Sequence, residues 1–108
     1  MEKEMPCWIV SSISPKITSL VLLSEERAKE EAVKLYGMLL SEAFAEFESD
    51  YPDRAICCDL QGIISSAKNN IKKTDDGYCY IEGESIKISK NNYVDTQSIS
   101  ITKAIAIF

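Results

Sequence analysis

Residues 24–53 read SEERAKEEAVKLYGMLLSEAFAEFESDYPD, and this stretch decides the fold class. Ser24 is a natural N-cap, and Glu25 and Glu26 place negative charge at the positive end of the helix dipole. Glu25–Lys29 and Glu30–Lys34 are i,i+4 pairs in the favourable order, each worth about 0.2–0.5 kcal/mol. Ala28, Ala32, Leu35, Leu39 and Ala43 recur at helical spacing. Val33, Tyr36, Leu40, Phe44 and Phe47 widen that stripe beyond one narrow seam. Past residue 35 such a helix is either buried on two sides or offers one side to a partner. Glu42, Glu46, Glu48 and Asp50 have no basic neighbour until Arg54. Glu42 and Glu46 repel each other at i,i+4 near the negative end of the dipole, a local cost in stability. Tyr51-Pro52-Asp53 then ends the helix.

Upstream, residues 7–13 and 17–23 are β-branched-rich runs separated by Ser14-Pro15-Lys16, the spacing of a hairpin with proline in its turn. Downstream, Leu60, Ile63, Ile64, Ala67 and Ile71 fall on one face of a second helix, with Lys68, Lys72 and Lys73 at its C-terminal end. Its start lies between Asp53 and Asp59. Thr74-Asp75-Asp76-Gly77 reads as a turn. Gly83-Glu84 between alternating runs reads as a two-residue hairpin, pairing Ile81 with Ile86, Cys79 with Ile88 and Tyr80 with Lys87. Asn91-Asn92 suits a further turn. A final strand over 98–108 puts Ile99, Ile101, Ile105 and Ile107 on one face, with Lys103 marking a bulge or a strand edge.

The expected fold is therefore α+β. One long and one shorter helix pack on an antiparallel sheet made of an N-terminal hairpin and a C-terminal three-stranded meander. Residues 1–108 form a single globular domain: 45% are hydrophobic and 27% charged, with four glycines and three prolines. Area scaling predicts a folded surface of roughly 6,000 Å², enough burial for one core without metal or disulfide staples.

Charge separates the possible partners. The net charge is −5, and all the excess lies in residues 24–59, where ten acids face four bases. Phosphate backbones and anionic lipid are repelled by such a domain, so direct nucleic-acid and membrane binding are disfavoured. Residues 1–6 lack the charged and apolar regions of a secretory signal. The longest apolar runs, such as 20–23, fall far below the ~18 residues of a membrane span, so a cytoplasmic protein is expected. Cys57 and Cys58 are adjacent, while Cys7 and Cys79 sit inside apolar strand patterns; free thiols are the simplest reading.

The chemistry of most enzymes is missing. The chain has no histidine, which removes Ser-His-Asp and Cys-His arrangements and histidine metal ligands. Glycines at 37, 62, 77 and 83 form no phosphate loop, and no carboxylate-rich calcium loop occurs. Asp75/Asp76 and Glu82/Glu84 read as solvated turn acids rather than a general acid–base pair. Tyr78, Tyr80 and Tyr93 lack the basic interleaving of a stacking platform. No cofactor and no metal are expected.

The function these features point to is a small acidic, non-enzymatic protein–protein interaction module, an inhibitor or accessory protein facing a basic surface. Its candidate binding residues are Glu42, Glu46, Glu48, Asp50 and Asp53, with Tyr36, Leu40 and Phe44 as an apolar face beside them. Charge complementarity suits a nucleic-acid-binding groove on the partner, a device of phage-type (viral) inhibitors by analogy alone. A homodimer interface is a further use for the apolar excess. The alternatives are a small-ligand or peptide-binding domain and a small enzyme using carboxylates or cysteine. A cavity lined by convergent polar groups favours the binder; an exposed apolar strip beside the acids favours the interaction module.

Overall fold

The long helix starts where its cap predicts. In a computed structural model, which describes residues 3–12, 20–54, 56, 58–75 and 79–107, α1 spans Glu25–Asp50. The Ser24 hydroxyl accepts the Arg27 N–H at 3.4 Å. Lys29 pairs with Glu25 at 3.9 Å, whereas Lys34 turns to Glu31 at 3.2 Å rather than to Glu30. The helix stops at Tyr51, whose N–H bonds the Phe47 carbonyl at 2.9 Å.

Strands β1 (Glu4–Ser12) and β2 (Leu20–Leu22) form the N-terminal antiparallel pair, with Trp8 opposite Leu22 and Val10 opposite Leu20. The Ser14-Pro15-Lys16 turn lies outside the described residues. The other strands are β3 (Lys72–Lys73), β4 (Cys79–Ile81), β5 (Ser85–Ser89), β6 (Asn92–Asp95) and β7 (Ile99–Ile107). One antiparallel sheet has the order β2-β1-β7-β4-β3; β5 and β6 form a separate two-stranded sheet. The class is α+β, with one long and one short helix.

The second helix is shorter than its apolar spacing implies. It spans Leu60–Ala67 (α2), tightens into a 3-10 turn over Lys68–Asn70, and gives way to β3 at Lys72. Asn69 and Asn70, which favour turns over helix interiors, stand where the helix fails. Ile71, Lys72 and Lys73 are therefore outside it. Asp59 occupies the N-cap position without making a side-chain cap bond.

The predicted Gly83-Glu84 hairpin does not form. Strand β4 pairs with β7, placing Cys79 opposite Ile101 and Tyr80 opposite Ser100; on its other edge Tyr80 meets Lys72. Residues 82–84 instead run alongside 96–98. The register never slips across this break: paired residue numbers add to 180 from Cys79–Ile101, through Glu84–Thr96, to Lys87–Tyr93. Strands β4 to β7 are thus one long hairpin that bends out of the sheet, with its turn at Lys90-Asn91, one residue before the predicted Asn91-Asn92. At the bend, side-chain hydroxyls carry hydrogen bonds between the two segments. The Glu84 N–H donates to Thr96 Oγ1 at 2.7 Å and the Gly83 N–H to Ser98 Oγ at 2.9 Å. Gly83 serves close backbone approach rather than a turn, since a Cβ there would lie 2.5 Å from the Thr96 carbonyl oxygen.

The sheet alternates as expected. Val10, Ile99, Ile101, Cys79 and Ile81 are buried and join Ala28, Ala32, Leu35, Leu40 and Phe44 of α1 in one core cluster. Ile88 of the outlying hairpin is buried in the same cluster, and Ile86 and Val94 pack against it. The helix is thus covered by the sheet and by α2, whose Ile64 side chain stands against Gly37, with Ile88 of the hairpin joining the same core. The far end of β7 is different: Ile105 and Ile107 are each 64% exposed although they share the face of Ile99 and Ile101. Pairing with β1 runs without a shift through Lys103, so no bulge occurs. Among the described residues β4 covers β7 only at Ile99–Ile101, so Lys103 marks an open edge. Its ammonium lies 5.8 Å from the Trp8 ring centroid.

Candidate functional site

The apolar part of the predicted binding face belongs to the core. Tyr36, Leu40 and Phe44 are 3%, 1% and 5% exposed, so within this fold they offer no docking surface. Their helix is broad because it is buried from two directions, the first of the two possibilities its pattern allows.

The acids are all exposed, but the fold divides them. Glu42 and Glu46 line one side of a groove of about 470 Å³, floored by Leu39 and Ala43 with the buried Leu40 beneath them, and closed on the far side by Asp95, Thr96 and Gln97. Glu48, Asp50 and Asp53 do not line it. Asp95 joins Glu42 and Glu46 because the bent hairpin brings the end of β6 onto α1. That neighbourhood follows from the hairpin register rather than from any local pattern, which is why sequence reasoning passed over Asp95. Among the described residues none of these acids has an ion-pair partner. Arg54, the nearest base in sequence, is engaged elsewhere: its guanidinium sits 5.1 Å from the Tyr51 ring centroid and donates to Asn92 Oδ1.

A second, larger cavity of about 790 Å³ opens between α2, its 3-10 extension and the β3–β4 edge. Ile63, Ala67, Ile71 and Ile81 supply apolar lining; Asp59, Ser66, Asn69, Asn70, Lys72, Glu82 and Glu84 supply polar groups. The Lys72 ammonium binds the Glu82 carboxylate, and that bond raises the lysine pKa. Tyr36 reaches the same cavity from α1, its phenol lying near Thr96 and Glu84. Burial pushes its pKa above the ordinary 10.0. The two cavities share no residue, and the 82–84/95–97 bend runs between their linings.

Cys7 and Cys79 are buried and Cys58 is half-buried; Cys57, like Asp76, Gly77 and Tyr78, lies outside the described residues. Tyr80 is half-buried between Lys72 and Ser100, while Tyr93 is exposed on β6. Among the described residues no three His, Cys, Asp or Glu side chains gather closely enough to hold a metal ion. No described helix is long and apolar enough to cross a membrane. No protein-family model, no curated protein and no solved structure matches the chain.

Proposed function

We propose that the protein is a small acidic, non-enzymatic interaction module that docks on a basic surface of a partner protein and acts there as an inhibitor or accessory factor. The observation that supports this reading is the groove where Glu42 and Glu46 of α1 meet Asp95 of β6 over the half-buried Leu39 and Ala43. Such a groove suits a lysine or arginine side chain: the aliphatic stem lies on the apolar floor while the charged head meets carboxylates. Glu48, Asp50 and Asp53 extend the same negative field past the end of the helix, where it speeds encounter more than it adds affinity.

The test is capture of partners on the immobilised protein at low and high salt, comparing wild type with a Glu42→Lys, Glu46→Lys, Asp95→Lys variant. The expected result is a basic protein retained at low salt, released at high salt, and lost or slowed several-fold with the variant. Retention of the same protein at the wild-type rate by the charge-reversed chain in low salt removes the electrostatic reading.

A further inference from the structure

We propose that the larger cavity is a binding site for an organic cation, an ammonium or guanidinium group carried on an apolar body. Its volume, about 790 Å³, falls in the range of small-molecule sites. The lining combines the isoleucines 63, 71 and 81 with three carboxylates and one ammonium. The single cation, Lys72, is bound to Glu82. Asp59 and Glu84 are left without an ion-pair partner among the described residues.

Both carboxylates stand at the cavity wall. Asp59 stands at the N-cap of α2 yet makes no cap bond, and its Oδ2 occupies the space beside Gly62, 2.6 Å from where a Cβ would stand. Any side chain at residue 62 displaces that carboxylate. The Glu84 main chain is fixed at the bend, with the Thr96 N–H donating to its carbonyl at 2.8 Å, and this places its side chain at the cavity wall. Carboxylates beside an apolar wall favour a cation with an apolar body, because the body lies on the wall while the charged head meets the acids. An anion of the same shape meets uncompensated negative charge instead.

The site shares no lining residue with the acidic groove, so the two ideas fail separately. The probes are phenethylamine, 3-phenylpropionate (a similar body with the opposite charge) and N-acetyl-lysine methylamide, each titrated against the intact protein. Methyl NMR of Ile63, Ile71 and Ile81 is the readout. The proposal expects saturable shifts at millimolar concentration with at least one of the two cations and none with phenylpropionate. Binding of phenethylamine alone marks a free amine as the ligand; binding of the blocked lysine alone marks a peptide side chain. Asp59→Asn with Glu84→Gln should weaken the cation at least tenfold. Gly62→Ala, which keeps the charge and moves the Asp59 carboxylate, should weaken it too. Glu42→Gln with Glu46→Gln should change nothing. Equal binding of the acid and the amine, no response to either cation, or an affinity unchanged by the paired Asp59 and Glu84 substitutions overturns the proposal.

Discussion

At Gly83 the chain tolerates no side chain, because the neighbours of a Cβ there are backbone atoms of 96–98 that have no rotamer to change. Gly83→Ala should therefore cost about 1–3 kcal/mol, the usual range for forced overpacking, read as a lower denaturant midpoint at unchanged slope. Tyr36 of α1 places its phenol beside the same bend, near Thr96 and Glu84. Tyr36→Phe, which removes that polar group, should cost no more than about 1 kcal/mol. Its pH signature has a definite sign. Burial raises the folded pKa above the 10.0 of the exposed phenol, so the folded state holds this proton more tightly than the unfolded chain. This contribution is fully present below pH 10.0 and is lost as pH rises from there through the raised folded value. The Phe variant should lack that alkaline loss in a pH series of thermal melts, and a wild-type curve matching the variant above pH 10.0 contradicts it.

The elements divide into parts that the core holds and parts that it does not. Strand β7 shows both within nine residues. Ile101, 1% exposed between Val10 and Cys79, should lose about 2–5 kcal/mol on replacement by alanine. Ile107→Lys, on the same face but outside the core, should change stability by less than about 0.5 kcal/mol. Denaturant melts of the two variants separate these outcomes, and similar losses at both positions contradict the exposed position of the β7 end. In α1 the last turn carries no basic residue, and its acids oppose the negative end of the dipole. Glu46→Lys with Glu48→Lys should leave stability unchanged or raise it by a few tenths of a kcal/mol while slowing association with a basic partner. A clear loss of stability shows instead that these acids support the fold.

For the molecule as a whole, the accessible surface is 7345 Å², against roughly 6,000 Å² from area scaling for this mass. The radius of gyration is 16.2 Å with extents of 62 × 25 × 18 Å, where about 13 Å is usual for 100 residues. The excess fits an elongated chain in which the β1–β7 ribbon and the bent hairpin extend the fold. Thiol titration in denaturant without reductant should count four free cysteines; fewer reveals a disulfide. Features that rest on neighbours in the chain were legible in the residues alone. The Ser24 cap, the stop at Tyr51, the shared face of Ile99 and Ile101 in β7 and the crowding of acids along α1 are set by backbone geometry and side-chain period. Local signals misled where two solutions are locally equivalent. Gly83-Glu84 fits a two-residue turn as well as an extended close approach, and only the register running from Ile101 to Tyr93 selects the second. Tertiary packing also buried Tyr36, Leu40 and Phe44, in one cluster with Val10, Ile99 and Ile101 of the sheet and Ile88 of the hairpin. It also set Asp95 beside Glu42 and Glu46 and closed the larger cavity around Asp59 and Glu84. These are contacts between distant residues, decided by which surfaces can be buried together, and no local period encodes them.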